Sequence, residues 1–428
     1  MSRSYVDSYY SRTLASSETY PPAEGSISTD ICIVGGGLAG LTAALELARS
    51  GRSVVVVEAQ RVAWGASGRN GGFVTPGYAT SLSAIERKVG QAQAEDLYRL
   101  SIEGMEIVRR NIENLSIDEA QPTSGIMRVV RYDGGAGLRA FRDLQQEKFG
   151  RKLRYLPKEE TRAVLQSPKY HAALLEEDSF HFHPLNYARA LAREIVRLGG
   201  RICEGSPVVS GDFDAKRKRL RTAGATVDAE HVLFTTGGYT GNVFSPLRRA
   251  YLPISTYVLL TEAAPELIAS AIRTKAGIGD DRRASDYYRL VEGGSRLLWG
   301  GRITTRTTDP RDIAQLLRHE MVTTYPQLSE LKVEIAWSGL MSYARHLMPQ
   351  IGQYKPGLWY CTAFGGHGMN TTAIGGTVVA EAIKGESDRF RQFSAFGLPW
   401  NGGVFGTAAA QLTYWAYQAA DFVRERRP

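Results

Sequence analysis

The sequence predicts an α/β protein: a Rossmann-like nucleotide-binding domain carrying an inserted antiparallel-sheet domain (α+β). Three observations predict it. First, an apolar run from Ile31 to Val34 enters a Gly-x-Gly-x-x-Gly turn at Gly35, Gly37 and Gly40. A helical pattern follows, with Leu41, Ala44, Leu45, Leu47 and Ala48 on one face, and then a second apolar run, Ser53 to Val57, that ends in Glu58. This is the strand-turn-helix-strand-acid order of a dinucleotide site. Second, two later apolar runs end in glycine turns of the same kind, His231 into Thr236-Gly237-Gly238 and Leu358 into Phe364-Gly365-Gly366-His367-Gly368-Met369. Third, Tyr251–Thr261, Tyr287–Val291 and Arg296–Ile303, between those runs, are rich in aromatic and β-branched residues and read as strands of a second sheet.

Each part of the first unit has a physical reason. Gly35 turns the chain where a side chain would clash. Gly37 lets the backbone approach a pyrophosphate, and Gly40 lets the helix pack closely on the sheet. The free N–H groups at the helix start, with the positive end of its dipole, stabilise phosphate charge. Glu58 accepts hydrogen bonds from ribose hydroxyls.

The chain of 428 residues is long enough for two or three cooperating units. No run reaches the roughly 18 consecutive apolar residues of a membrane-spanning helix. The N-terminal residues lack a secretory pattern, so a cytoplasmic location is expected. The three cysteines, Cys32, Cys203 and Cys361, sit in strand-like surroundings at spacings that match no metal motif. Free buried thiols and no metal are expected. The net charge of +8 is spread along the chain. Its densest cluster, Lys216 to Arg221, reads as a solvated hairpin tip, so nucleic acid is not an expected partner.

In chain order, residues 1–29 read as an N-terminal arm. Residues 30–118, 178–245 and 341–390 make a discontinuous nucleotide domain, with 119–177 and 246–340 as the substrate domain. Helices are expected at 83–115, 138–147, 185–198, 310–325 and 370–384, the last closed by Gly385. Phe180-His181-Phe182-His183-Pro184 has two close histidines without a third metal ligand and reads as a turn. The stretch Gly65-Ala66-Ser67-Gly68-Arg69-Asn70-Gly71-Gly72 is poor for a helix interior and suits close backbone approach to a ligand. Residues 391–428 form a helical tail. Phe405, Ala408, Leu412, Trp415, Ala419 and Phe422 recur at helical spacing before a basic end, Arg424 to Arg427. Packing on the body is expected of it, rather than membrane contact.

Together, Gly35 to Gly40, Glu58, Gly65 to Gly72, Thr236 to Gly238 and Phe364 to Met369 resemble the flavin-dependent amine and amino-acid oxidoreductases. That family includes D-amino-acid oxidase, glycine oxidase and monomeric sarcosine oxidase. Ser8-Tyr9-Tyr10 and the run Trp64 to Gly72 resemble most the γ-glutamylputrescine oxidase branch. The resemblance implies FAD, with its isoalloxazine ring at the domain boundary. Gly35, Gly37, Gly40 and Glu58 should hold the ADP half. Ala66, Ser67, Arg69, Asn70 and Gly71 should line the middle and the flavin end. Val208 should meet the adenine, and Gly237 and Gly238 the pyrophosphate. Gly366, His367, Gly368 and Met369 should approach the ribityl chain and ring. Leu38, Ala39, Ala59, Gly65, Gly72, Thr236 and Gly365 complete the implied cofactor set.

The resemblance also implies the reaction. A primary or secondary amine gives a hydride to flavin N5, the imine hydrolyses to a carbonyl compound, and O2 or another electron acceptor reoxidises the flavin. A γ-glutamylated polyamine is the expected substrate, within polyamine catabolism. An amino-acid oxidoreductase for D- or N-methyl amino acids and a noncatalytic FAD-binding subunit are the alternatives. Ser338 to Tyr343 holds no cysteine, so noncovalent FAD is expected. No lysine occurs between Lys275 and Lys332, where a relative carries the one that helps oxygen react, so the acceptor stays open; an oxidase is preferred to a dehydrogenase. For the substrate, His367 is a candidate beside the flavin, and Arg302 and Arg345 for a carboxylate. Tyr257, Tyr288 and Trp299 are candidates for an aromatic wall. The oligomeric state is not read from the sequence.

Overall fold

The structure is a computed structural model and describes residues 4–132, 135–282, 286–306 and 308–425. Of the expected basic end, residues 426 and 427 lie outside the described residues.

The first sheet has eight strands, and its heart is parallel. Gly25–Val34 lies between Ala225–Phe234 and Val54–Val57, with Leu358–Thr362 beyond the former and Arg201–Cys203 beyond the latter. Val54–Val57 is four valines, all buried, as a strand covered on both faces requires. Helix Leu38–Arg49 is buried along nearly its whole length, and it stacks with Gln91–Asn114 and Gly368–Lys384 on one face of this sheet. Gly385 closes the last of these in left-handed backbone, as its place after Lys384 predicts. The expected helix at 83–115 is two, Leu82–Val89 and Gln91–Asn114, broken at Gly90, whose φ of +84° no helix interior adopts.

The second sheet has nine strands. Val333–Ala344, Tyr251–Thr261, Arg296–Thr304 and Tyr287–Val291 form its antiparallel half. Gly277–Asp280 pairs antiparallel with Tyr287–Val291 and parallel with Thr123–Val130, so the sheet is mixed where antiparallel pairing was expected throughout. Ala172–His181 and Phe73–Val74 continue it. A separate core lies behind this sheet, around Tyr257, Tyr288, Trp299, Leu317 and Tyr325.

Strands run across several of the expected domain edges. Gly25–Val34 pairs with Ala225–Phe234 from Gly25 onwards, so the last part of the expected arm is strand. Ala172–His181 runs past 178, and Val333–Ala344 past 341, as strands of the second sheet. Phe73–Val74 belongs to that sheet although it falls inside the span 30–118. The basic cluster begins in the tip of a hairpin, at Lys216 and Arg217, and continues into its second strand, Lys218–Arg221, which pairs with Ser210–Asp212. Three of its cations are partnered: Arg219 pairs with Asp228 and Arg217 with Glu230, while buried Lys218 donates to the Ala215 carbonyl.

The two close histidines split their roles. His181 ends strand Ala172–His181, while His183 caps helix Pro184–Arg197 by accepting the Asn186 N–H on its ring. Among the described residues no group of acidic, histidine and cysteine side chains is arranged to hold a metal. Cys32, Cys203 and Cys361 are free and buried.

Candidate functional site

A cavity of about 1700 Å³ runs between the two sheets. Its volume exceeds the 300–1,000 Å³ of an ordinary ligand pocket, so it has room for a two-part cofactor and a second molecule.

One end is built by the glycine turn. Gly35 has a φ of +110°, and a Cβ there would lie 2.9 Å from the Thr235 carbonyl. A Cβ on Gly40 would lie 2.3 Å from the Gly35 oxygen and 2.6 Å from Thr235 Oγ1. Gly40 accordingly faces the sheet and does not line the cavity, while Gly35, Gly37, Leu38 and Ala39 do. Glu58 ties the turn together: its carboxylate accepts from the Gly36 N–H at 2.7 Å and the Gln60 N–H at 2.8 Å. Burial pushes the Glu58 carboxyl up, and those two backbone donors oppose the shift. Glu58, Ala59 and Val208 line this end.

The loop after the second strand forms the middle. Ser67 Oγ accepts from the Leu38 N–H at 3.0 Å. The Asn70 amide donates to the Ala66 and Ser67 carbonyls, and its oxygen accepts from the Gly72 N–H. The Arg69 guanidinium lies 4.1 Å over the Trp64 ring and donates to the Trp64 carbonyl at 2.7 Å. Its Nη2 is buried with no hydrogen-bond partner among the described residues. Gly65, Ala66, Ser67, Arg69, Asn70 and Gly71 line the cavity; Gly72 does not, because its α-carbon faces the Phe182 carbonyl.

Across the cavity, Thr236, Gly237 and Gly238 follow the returning strand. Gly365, Gly366, His367, Gly368 and Met369 form the last turn, from which helix Gly368–Lys384 starts. No side chain caps that helix start. The imidazole of His367 makes no hydrogen bond among the described residues, so the turn is not held by its side chain. Burial, and then the nearby Arg128 cation, lower the His367 pKa to about 4, which keeps the ring neutral at pH 7.

Four of the six substrate candidates point elsewhere. Tyr288 and Trp299 stack at 4.1 Å with an interplanar angle of 4°, in the core behind the second sheet. The Tyr288 hydroxyl joins those of Tyr170 at 2.8 Å and Tyr325 at 2.7 Å. Tyr257 is buried in the same core and accepts from the Thr308 N–H. Arg302 pairs with Glu320 at 2.9 Å. None of the four lines the cavity. The reason is strand parity: side chains alternate between faces, and the cavity face presents Thr256 and Tyr287, the residues just before Tyr257 and Tyr288. Arg345 does line the cavity, is exposed, and has no ion pair or hydrogen bond among the described residues.

Other wall residues carried no sequence signal of their own. Met341 and Tyr343 come from strand Val333–Ala344, and Arg128 from Thr123–Val130, paired to buried Glu176. The tail helix Gly403–Glu425 closes the remaining side with Phe405, Gln411, Tyr414 and Tyr417. Gln411 accepts from Thr304 Oγ1 and the Thr305 N–H, both at 2.9 Å, and the Tyr414 hydroxyl accepts from the Ile303 N–H at 3.1 Å.

The sequence matches the family described as DAO, FAD dependent oxidoreductase, over residues 30–382. It is 34% identical over 396 residues to the γ-glutamylputrescine oxidoreductase of Escherichia coli (strain K12), covering 91% of this chain and 92% of that protein. It is 23% identical to the glycine oxidase of Geobacillus kaustophilus (strain HTA426), covering 84% and 94%. The fold is similar to the crystal structure of glycine oxidase from Geobacillus kaustophilus, with a TM-score of 0.74 and 20% identity over 87% of this chain and 99% of that one.

Proposed function

This chain belongs to the family of FAD-dependent oxidoreductases, and we propose that it oxidises the amine end of a γ-glutamylated polyamine. The observation that carries this reading is a polarity difference within one cavity. Arg345 is an exposed cation with no ion pair or hydrogen bond among the described residues, and His367 is a half-buried neutral imidazole. A substrate with a carboxylate at one end and an amine at the other matches that difference. The relative named for γ-glutamylputrescine supports the same substrate class.

The residues present fit the cofactor. The Arg69 Nη2 is a buried donor on the cavity wall with no hydrogen-bond partner among the described residues, and two helix starts, at Leu38 and Gly368, open on the same space. Gly35, Gly37, Glu58, Ser67, Arg69, Gly237 and the 365–369 turn would hold FAD. None of the three cysteines lines the cavity, which supports noncovalent binding. Bound FAD supplies the two-electron oxidant for a C–H bond beside nitrogen. The protein's part is positioning. Desolvation in the cavity disfavours an ammonium, so the amine is held deprotonated. Neutral His367 can accept a hydrogen bond from it. Tyr287, Met341 and Tyr343 bound the space for the carbon chain, and helix Gly403–Glu425 excludes water on the open side.

The test is anaerobic bleaching of the flavin by γ-glutamylputrescine, putrescine, glycine, sarcosine and D-alanine in parallel, followed by air with peroxide detection. Rapid bleaching by the first alone is expected. Faster bleaching by an amino acid would favour the second reading, an amino-acid oxidoreductase, which the glycine oxidase relatives support. A flavin that stays oxidised with all five would leave a noncatalytic subunit. Peroxide on air admission identifies O2 as an acceptor.

A further inference from the structure

The tail helix Gly403–Glu425 is amphipathic in the opposite sense to an ordinary surface helix. Its buried residues are Gln411 and Asp421, 9% and 6% exposed. Its outer face carries Val404, Phe405, Leu412, Trp415 and Val423, from 46% to 80% exposed. A helix on a globular body normally turns its apolar stripe inwards. A contiguous exposed apolar stripe marks a surface that another apolar phase covers. The helix lies beyond residue 382, outside the region that matches the family.

We propose that this face docks on an anionic lipid bilayer. Charge identifies the occupant. The helix has two acidic residues, and both are turned inwards: Asp421 is buried, and Glu425 pairs with Arg131 at 2.7 Å and Lys169 at 3.1 Å. The cations stay outside. Arg424 is exposed with its guanidinium 4.6 Å from the Tyr132 ring, and Arg306 lies 5.4 Å from the Trp415 ring. The sequence adds Arg426 and Arg427, and the whole chain is +8. An apolar stripe on a basic chain, with no exposed carboxylate on the helix among the described residues, complements a surface of acyl chains under negative headgroups. The same face against a second copy would bring these cations together, which is unfavourable. No helix among the described residues is long and apolar enough to cross a membrane, so the helix lies on the surface. Trp400 and Phe405 belong both to this apolar surface and to the cavity wall, so docking sets the cavity rim against lipid.

The test is sedimentation of the full-length, FAD-loaded protein with vesicles of phosphatidylcholine alone and of phosphatidylcholine mixed with phosphatidylglycerol. Two or three cations near the surface predict roughly tenfold or more tighter binding to the anionic vesicles. Salt on the order of 1 M, where the Debye length is about 3 Å, should remove that preference. The variant Leu412→Glu with Val423→Glu should lose vesicle binding while keeping its flavin content; neither residue touches the cavity. Should that variant lose flavin, the salt dependence of the wild type decides. Equal binding to both vesicles, or none to either, overturns the proposal. So does a dimer in sedimentation velocity without lipid that the variant dissociates, since that assigns the face to a second copy.

Discussion

Acidification from pH 6.5 to pH 5 should destabilise this protein through two histidines that the fold fixes in the neutral form. His181 has its Nε2 2.8 Å from the Lys275 carbonyl, so that nitrogen carries the proton, and its Nδ1 accepts from Arg289 at 3.0 Å. His183 accepts the Asn186 N–H on Nδ1 at 3.1 Å. Its Nε2 lies 3.0 Å from Thr13 Oγ1, whose own proton goes to the Tyr9 carbonyl. A second proton on either ring would remove an acceptor and add a charge near Arg289. Burial first, and Arg289 second, lower both pKa values from 6.5 to about 3. The sign follows from linkage. Below 6.5 the unfolded chain takes up protons that the folded one does not, so stability present above pH 6.5 is lost as pH falls towards 3. Any folded pKa well below 5 gives the same loss over this window: the unfolded ring is half protonated at pH 6.5 and almost fully at pH 5, which integrates to about 1.6 kcal/mol per ring and about 3 for the pair. The assay is urea unfolding at pH 6.5 and pH 5 of the wild type and of His181→Gln with His183→Asn. The Gln can donate and accept as the ring does, and Asn is a helix cap in its own right. The wild type should lose about 3 kcal/mol more than the variant across the window. Parallel losses would refute the argument.

Three further outcomes are expected. Gly40→Ala drives a Cβ against the Gly35 carbonyl; it should cost about 1–3 kcal/mol and lower the bound flavin, read by thermal melting and the flavin-to-protein absorbance ratio. Arg345→Ala should raise KM for a carboxylate-bearing amine by roughly 10- to 100-fold with kcat little changed, as loss of one charged hydrogen bond predicts. Steady-state kinetics against a plain diamine provide the control, and an equal rise there would show that Arg345 does not read the carboxylate. Tyr288→Phe removes a hydroxyl between Tyr170 and Tyr325 and should cost about 1 kcal/mol of stability with KM unchanged. Tyr287→Ala should instead alter KM, and a Tyr288 variant that changes KM more would reverse the assignment of faces.

What could be read from the sequence divides by the range of the forces involved. The turn at Gly35 to Gly40 is a local steric requirement: backbone oxygens and a helix start leave no room for a Cβ, and the glycines record that directly. The loop from Gly65 to Gly72 and the turn at Gly365 to Met369 were legible for the same reason. The substrate wall was not. An aromatic residue on a half-buried strand suits either face, and the sheet here has a core behind it as well as a cavity in front. Parity then decides, and register comes from partners elsewhere in the chain: Tyr288 opposes Trp299, while Tyr287 opposes Gly300. A Cβ on Gly300 would strike the Tyr287 ring, at 2.1 Å, so the glycine reserves the cavity side for that ring. The tail helix makes the same point for helical period. Its spacing predicts one apolar face and is silent on which way that face turns. The direction is fixed by Gln411, whose oxygen accepts from Thr304 and Thr305, about a hundred residues earlier in the chain. Two residues at the end of a distant strand, Thr304 and the Thr305 that follows it, thus turn a stripe that reads as core into the outer surface of the site.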